Sequence, residues 1–145
     1  MALRTNITSA FLIARTAMPE LAKRRGAIVQ VSSMQGNRAD YGAVAYNITK
    51  GAIESLTRSM ALDHAADGVR VNAIAPGLIE TPRTAAAEPD RLARVIARTP
   101  LGRAGTAAEV AGVVAFLASD DAAFVTGAVV PVDGGSAASL GSVRP

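Results

Sequence analysis

The sequence predicts an α/β fold in which a parallel sheet lies between two layers of helices. Three short apolar segments have the length and β-branched composition of strands buried on both faces: residues 27–33, 68–76 and 127–135. Helical patterns precede and separate these segments, so that helices and strands alternate along the chain. This alternation produces right-handed crossovers and a parallel sheet with helices on both faces.

The helices are predicted from apolar residues that recur every three or four positions. Residues 5–25 carry such a stripe, which ends at Gly26. A second pattern covers residues 44–66, where one face is formed by Ile48, Ala52, Leu56 and Met60. The motif TAAE at residues 106–109 is a capping box and begins a third helix.

Two segments lack a regular pattern. Residues 78–104 are charged and interrupted by prolines, with one short helix expected near 90–98. Residues 136–145 offer little that could pack, and we expect this tail to be flexible. The sequence has neither an internal repeat nor a linker, so a single domain is predicted over residues 1–145.

Composition argues against several classes of protein. The absence of cysteine excludes a disulfide framework and a thiolate metal site, and we predict no metal site. The apolar runs are too short to span a membrane, and the arginines behind the net charge of +3 are spread along the chain. We therefore expect a cytoplasmic protein with neither membrane nor nucleic acid as a partner. The N-terminal segment also fits a mitochondrial transit peptide, although its helical stripe favours a helix packed on the core.

Tyr46 and Lys50 lie four residues apart in the second predicted helix, which places them one turn apart on the same side. A nearby ammonium stabilises a phenolate, so this pair suits a tyrosine that gives or takes a proton at neutral pH. Alone, the motif Tyr-x-x-x-Lys is a weak signal, because both residues are common on helix surfaces. Tyr41 has Ala45 at the equivalent spacing, so only Tyr46 carries the motif.

Turn-forming residues follow two of the predicted strands. Ser33 ends the first strand, thirteen residues before Tyr46, and Pro76-Gly77 ends the second. Open α/β sheets bind ligands beyond the carboxyl ends of their strands, so these residues are expected to border a site. A plainer alternative stays open, since serine and Pro-Gly also suit ordinary turns.

Five segments together resemble the short-chain dehydrogenase/reductase family: NITSAF, IVQVSSMQG, YNITK, RVNAIAPGLIET and LGRAGTAAEVAGVVAFLASDDAAFVTGAVVPVDGG. They run from about Asn6 to Gly135 in the order and spacing of that family. Their sequences are most similar to those of the branch that contains 3-oxoacyl-(acyl-carrier-protein) reductases and small-alcohol or sugar dehydrogenases. The resemblance implies a Rossmann-like α/β/α fold and an NAD- or NADP-dependent oxidoreductase that interconverts a carbonyl and a secondary alcohol. It also implies a homodimer or homotetramer in the full-length form.

The resemblance implies roles for individual residues. Tyr46 would be the general acid/base, and Lys50 would make it a stronger acid and bind the nicotinamide ribose. Ser33 would hold the substrate oxygen, and Asn6 would position a water in the proton relay. The residues implied to border the nicotinamide, beside Tyr46 and Lys50, are Pro76, Gly77, Ile79 and Thr81. Residues 78–104 would form a mobile lid over the substrate.

One part of the family pattern is missing from the sequence. The segment Thr-Gly-x-x-x-Gly-x-Gly, which wraps the cofactor pyrophosphate, does not occur, and neither does the residue that selects NAD or NADP. The chain therefore resembles the catalytic and lid half of a family member without its N-terminal βαβ half. Strand 27–33 is expected to lack a neighbour on one side, which leaves an open edge.

The missing half leaves two interpretations. The chain is either the catalytic half of an oxidoreductase, whose other half comes from a longer reading frame or a partner chain, or a truncated, non-catalytic interaction module. In the second case the predicted helices 5–25 and 44–66 would pair with a longer family member. For the isolated chain we expect only weak binding of nicotinamide cofactors.

Overall fold

The computed structural model describes residues 2–140, and none of the helices in that range is long and apolar enough to cross a membrane. The helices are α1 (Ser9–Arg24), α2 (Val44–Asp63), α3 (Pro82–Ala85), α4 (Pro89–Ala97) and α5 (Ala107–Ala118). The strands are β1 (Ala27–Val31), β2 (Arg70–Pro76) and β3 (Val129–Val132). A π-helical turn, Arg4–Thr8, leads directly into α1.

Within the described part of the chain, the strands form one parallel sheet in the order β1-β2-β3. Ile74 of the central strand pairs with Val31 on one side and with Val130 on the other. Because both edges of β2 are paired, its middle residues are buried, as expected for the centre of a parallel sheet. The predicted parallel sheet is confirmed.

Helices cover both faces of the sheet. On one face, Val71 packs in a buried cluster with Ala14 and other side chains of α1 and α2. Side chains alternate across a strand, so Arg70 projects from the opposite face. There its guanidinium donates hydrogen bonds of 2.6 and 2.9 Å to the carbonyls of Leu117 and Ser119 at the end of α5. The predicted three-layer arrangement is confirmed, and α1 is the core-packed helix that its stripe predicts.

β1 differs from the prediction of a strand buried on both faces. Val31 is 54% exposed, and Gln30 is the residue of this strand that is buried. The reason is its place in the sheet, since β1 pairs with β2 on one side and borders a groove on the other. The expected open edge is therefore present, and such an edge can pair with another polypeptide.

The buried face of α2 agrees only in part with the predicted one, in which Met60 is buried and Leu56 packs against the core. Thr49, Ile53 and Thr57 are buried, whereas Ile48 is 56% exposed. The hydroxyl of Thr49 donates 2.8 Å to the Tyr46 carbonyl, and that of Thr57 donates 2.8 Å to the Ile53 carbonyl. These bonds satisfy the hydroxyls inside the helix, so both threonines can occupy buried positions.

The irregular regions contain short helices. α4 confirms the helix predicted there, and α3 is a turn that the sequence did not predict. Residues 136–138, part of the predicted flexible tail, form a 3₁₀ turn. The Arg38 guanidinium donates hydrogen bonds to the carbonyls of Ala137 and Ser139, which explains why this segment is held. The rest of the predicted tail, residues 141–145, lies outside the described residues.

Candidate active site

Hydrogen bonds fix the backbone where β1 and β2 end. Beyond β1, the Ser32 amide donates 2.8 Å to the Ile74 carbonyl and carries the parallel pairing one residue further. Beyond β2, the Gly77 amide donates 3.1 Å to the Val132 carbonyl. Both bonds lie at the carboxyl ends of the strands, the edge at which open α/β sheets bind ligands.

Tyr46 and Lys50 lie in the first two turns of α2, and the helix brings their side chains together as the spacing predicts. Lys50 Nζ lies 5.6 Å from the centroid of the Tyr46 ring. Tyr46 is 39% exposed, and among residues 2–140 its hydroxyl has no hydrogen-bond partner. The phenol is therefore accessible and its hydroxyl is available to a ligand.

The Lys50 ammonium is fixed at the end of β1. Its Nζ donates a hydrogen bond of 2.8 Å to the Val31 carbonyl. Burial lowers the pKa of Lys50 from its ordinary value, because an ammonium removed from water loses hydration of its charged form. An ammonium has three donors, and in the described structure the other two have no acceptor. Lys50 can therefore still bind a hydroxyl-bearing ligand.

Asn6 is joined to the same turn of α2 through Thr49. Its Nδ2 donates 3.0 Å to Thr49 Oγ1, and Thr49 in turn donates 2.8 Å to the Tyr46 carbonyl. Asn6 and Lys50 also line one cavity of about 410 Å³ beside the open edge of β1. Three of the four predicted catalytic residues therefore gather around one helical turn, with buried Thr49 as the link.

Ser33, the fourth predicted catalytic residue, lies two residues beyond β1. It is half-buried and caps the 3₁₀ turn Met34–Gly36, its Oγ accepting a hydrogen bond of 3.3 Å from the Gln35 amide. This is the turn role that the sequence left open. The Ser33 hydroxyl proton is not used in this bond, so it can still be donated to a substrate oxygen.

Beneath the site lies a buried polar pair that sequence reasoning missed. Ser32 Oγ lies 3.1 Å from Glu54 Oε1 and 3.1 Å from the Lys50 carbonyl oxygen. Glu54 is 4% exposed, and its other oxygen lies 3.9 Å from the Arg58 guanidinium. The available signals were the serine doublet and a glutamate one turn after Lys50. These contacts fasten α2 to the end of β1 beside Lys50.

The residues expected to border the nicotinamide lie along the next segment of the chain. Pro76 is the last residue of β2, and a side chain at Gly77 would approach Asp133 Cβ to 2.8 Å, so close packing requires glycine there. Ile79 forms a bridge with Gly105.

Thr81 caps α3 in a reciprocal arrangement with Thr84. Ile79 lines a cavity with Asp133, and Thr81 lines another with Thr84. The structure does not bring these two residues into the cavity of Asn6 and Lys50.

The Thr126-Gly127 pair, which superficially matches the start of a phosphate-binding loop, has a structural role. Thr126 Oγ1 accepts a hydrogen bond of 3.1 Å from the Val71 amide, and the Gly127 amide donates 2.8 Å to the Val71 carbonyl. Gly127 has φ of +74°, a conformation that favours glycine. The pair therefore joins β2 to β3. Elsewhere, residues 2–140 hold no group of three or more histidine, aspartate or glutamate side chains that could ligate a metal.

The sequence is similar to a known family of enzymes. The family model described as enoyl-(acyl carrier protein) reductase matches residues 1–137. Meso-2,3-butanediol dehydrogenase of Serratia marcescens is 46% identical over 139 residues, which cover 96% of this chain and 55% of that enzyme. The 3-oxoacyl-(acyl-carrier-protein) reductase FabG of Escherichia coli is 39% identical over 134 residues, which cover 92% of this chain and 55% of the reductase.

Solved structures show the same relationship. A protein of Agrobacterium tumefaciens assigned as a gluconate dehydrogenase has a TM-score of 0.90 and 38% identity, covering 93% of this chain and 55% of that one. A second protein from that organism, assigned as a 2-deoxy-D-gluconate 3-dehydrogenase with bound NADP, has a TM-score of 0.90 and 34% identity, covering 94% of this chain and 57% of that one. The chain thus spans about half the length of the relatives it matches. By sequence and by fold, it belongs to the short-chain dehydrogenase/reductase family.

Proposed function

We propose that this chain is the catalytic and lid half of an NAD(P)-dependent oxidoreductase that interconverts a carbonyl and a secondary alcohol. The observation that carries the proposal is the joining of Asn6, Tyr46 and Lys50 around one turn of α2. Ser33 follows the strand end to which Lys50 is bonded. This set supplies an accessible acid, a cation beside it and a hydroxyl donor at one edge of the sheet.

Each side chain has a separate task in the proposed reaction. In the reducing direction the Tyr46 hydroxyl gives its proton to the substrate oxygen, and in the oxidising direction the phenolate takes that proton back. The Ser33 hydroxyl donates to the same oxygen and holds it in place as charge develops there. Lys50 stabilises the phenolate by its positive charge. Asn6, held by Thr49, positions a water that returns protons to Tyr46 from solvent.

The residues present fit the ribose end of a nicotinamide cofactor. Lys50 has two donors left for ribose hydroxyls at the carboxyl end of β1, beside the accessible Tyr46 ring. When bound, the cofactor supplies or accepts the hydride at the substrate carbon. Tyr46 and Lys50 would hold its ribose, and Pro76, Gly77, Ile79 and Thr81 would border its nicotinamide. The relatives named for butanediol, 3-oxoacyl and gluconate derivatives support a substrate with a carbonyl or secondary hydroxyl group.

The proposal is tested by single substitutions in the full natural protein that contains this chain. Ser33→Ala removes a donor to the substrate oxygen and is expected to lower kcat about 10²- to 10³-fold. Thr49→Val breaks the link to Asn6 without touching the reacting atoms, so kcat should fall less. Nicotinamide absorbance follows both reactions. Unchanged turnover in Ser33→Ala would overturn the assignment of this site.

A second candidate function is a non-catalytic module that pairs with a longer family member. The observation that favours it is the set of exposed apolar side chains on α1 and α2: Phe11, Leu12, Ile13, Val44, Ile48 and Leu62. The outer edge of β1 is unpaired, and the buried Gln30 Nε2 in this strand has no acceptor among the described residues.

Co-expression distinguishes the two functions. The module interpretation predicts that this chain, inactive alone, co-purifies with the Serratia marcescens dehydrogenase, and that Ile13→Lys together with Ile48→Lys abolishes the complex. The matched change Thr16→Lys on an exposed position of α1 should leave the complex intact. Failure to form any complex would contradict this candidate and leave the enzymatic one standing.

A further inference from the structure

One face of α4 presents arginines to the loop that precedes the Tyr46 helix. Arg91, Arg94 and Arg98 are spaced three and four residues apart, which places them on one side of the helix. All three line a cavity of about 350 Å³ whose opposite wall is formed by Asp40 and Tyr41. The cavity therefore lies between the predicted lid and the segment that connects Ser33 to Tyr46.

The apolar side of α4 explains why the arginines point to this cavity. Leu92 and Ile96, four residues apart, line a different cavity together with Ala85. Leu92 and Ile96 are half-buried, so the apolar side of α4 faces Ala85 and the arginine side faces the loop before α2.

The charges in the cavity are unbalanced. Arg94 has a partner, since its guanidinium lies 3.9 Å from Glu88. Within residues 2–140, the guanidinium groups of Arg91 and Arg98 make neither an ion pair nor a hydrogen bond. The acid that faces them is Asp40, whose oxygens already accept hydrogen bonds of 2.8 Å from the Tyr41 amide and 3.4 Å from the Gln35 side chain. Two guanidinium groups therefore remain without a counter-ion.

The cavity wall is tied to the proposed catalytic helix. Asn47, the residue after Tyr46, donates its Nδ2 to the Asp40 carbonyl at 3.3 Å. A ligand held against Asp40 and Tyr41 is thus adjacent to the start of α2, where Tyr46 is accessible. Guanidinium groups bind carboxylate and phosphate oxygens through paired N–H donors.

We propose that Arg91 and Arg98 bind an anionic oxygen group, a carboxylate or a phosphate, at the far end of the hydroxy or keto substrate. This inference rests on the proposed function, because it assigns the substrate class of the same site. It makes α4 a specificity-determining element, and it predicts discrimination against neutral polyols of the same size.

Binding can be measured on the 145-residue chain without turnover. Arginine Nε–Hε signals are followed by NMR during titration with gluconate, glucose 6-phosphate and the neutral polyol glucitol. We expect the Arg91 and Arg98 signals to shift saturably with an anion and to stay unchanged with glucitol. The two anions distinguish a carboxylate from a phosphate as the preferred group.

A matched pair of variants sharpens the test. Arg91→Gln with Arg98→Gln should raise the Kd for the preferred anion by about three- to tenfold, as expected for two exposed ion pairs. Lys23→Gln with Arg24→Gln, an equal loss of two charges at the exposed end of α1, should leave the Kd unchanged. If the double variant does not fold, the NMR shifts of individual arginines in the unsubstituted chain still show whether the anion binds at Arg91 and Arg98.

Three results would overturn the inference: equal shifts at Arg24 and at Arg91, equal responses to glucitol and to the anions, or no shift with either anion. Each of these concerns binding alone. The proposed function fails through a different result, the survival of turnover in Ser33→Ala, so the two failures are distinguishable.

Discussion

The Lys50 ammonium donates a hydrogen bond of 2.8 Å to the Val31 carbonyl, so α2 is fastened to the last residue of β1. The same lysine lies beside the Tyr46 ring and lines the cavity that also contains Asn6. One side chain thus connects the end of β1, the accessible phenol and the groove along the open edge of the sheet.

Folding lowers the pKa of Lys50 through burial, so the stability of the chain should depend on alkaline pH. Between the lowered pKa and the ordinary value of 10.5, the folded chain binds fewer protons than the unfolded chain. The free energy of unfolding should therefore rise with pH in that window, and Lys50→Met should remove the rise. Urea denaturation at a series of pH values measures this effect.

The other lysine of the sequence provides the control. Lys23 is exposed and paired with Glu20 at 2.7 Å, and Lys23→Met should keep the alkaline rise. If the alkaline rise in the free energy of unfolding survived in Lys50→Met and disappeared in Lys23→Met, burial of Lys50 would not be its cause.

Ser32→Ala should destabilise the fold by about 1–3 kcal/mol, because Glu54 Oε1 would lose a hydrogen-bond donor in a buried position. Ser59→Ala, at an exposed position of the same helix that carries Glu54, should change the free energy of unfolding by less than about 0.5 kcal/mol. Equal effects of the two substitutions in urea denaturation would show that the buried pair contributes nothing.

Gly36→Ala should destabilise the chain by about 1–3 kcal/mol through overpacking. A methyl group at Gly36 would lie 2.6 Å from Ser32 Oγ and would collide with Glu54 Oε1. Gly112→Ala in α5 meets no atom within 4 Å and should stabilise by about 0.5–1 kcal/mol. Thermal unfolding of both variants checks the signs of these two stability changes. A Gly36→Ala chain as stable as the unsubstituted one would argue against the close packing of this turn.

Glu109, the carboxylate of the α5 capping box, should titrate at unusually low pH. Hydrogen bonds from the Arg103 guanidinium lower the pKa of Glu109 to about 2, with a further contribution from the Thr106 amide. Stability from this carboxylate is present above its unfolded pKa and is lost as the pH falls through about 2. Arg103→Gln should move the Glu109 midpoint upward in a carboxyl-detected NMR titration, whereas an unchanged midpoint would show that Arg103 has no influence.

Local patterns predicted their elements correctly. The capping box at Thr106 and Glu109 and the pairing of Tyr46 with Lys50 each depend on residues within one helical turn, and both were confirmed. The three strands and their parallel order also followed from the alternation of patterns. In each case the interacting residues are close in sequence, or the pattern repeats over many residues.

Long-range contacts could not be predicted. Ser32 and Glu54 are 22 residues apart, and the serine doublet and the glutamate after Lys50 do not by themselves indicate that the two groups meet. The exposure of Val31 depends on β1 lying at an edge, which strand composition does not report. The burial of Thr49 and Thr57 depends on hydrogen bonds within α2 that an apolar pattern overlooks.

The most direct test of the account is the kcat of Tyr46→Phe in the full natural protein that contains this chain. The assay uses the secondary alcohol or ketone with the highest turnover, and cofactor binding followed by fluorescence confirms an intact site. We predict a loss of about 10²- to 10⁴-fold in kcat, with Ser59→Ala unaffected, because the substitution removes the proposed proton donor and little else. Near-normal turnover in Tyr46→Phe would contradict the claim that Tyr46 transfers the proton.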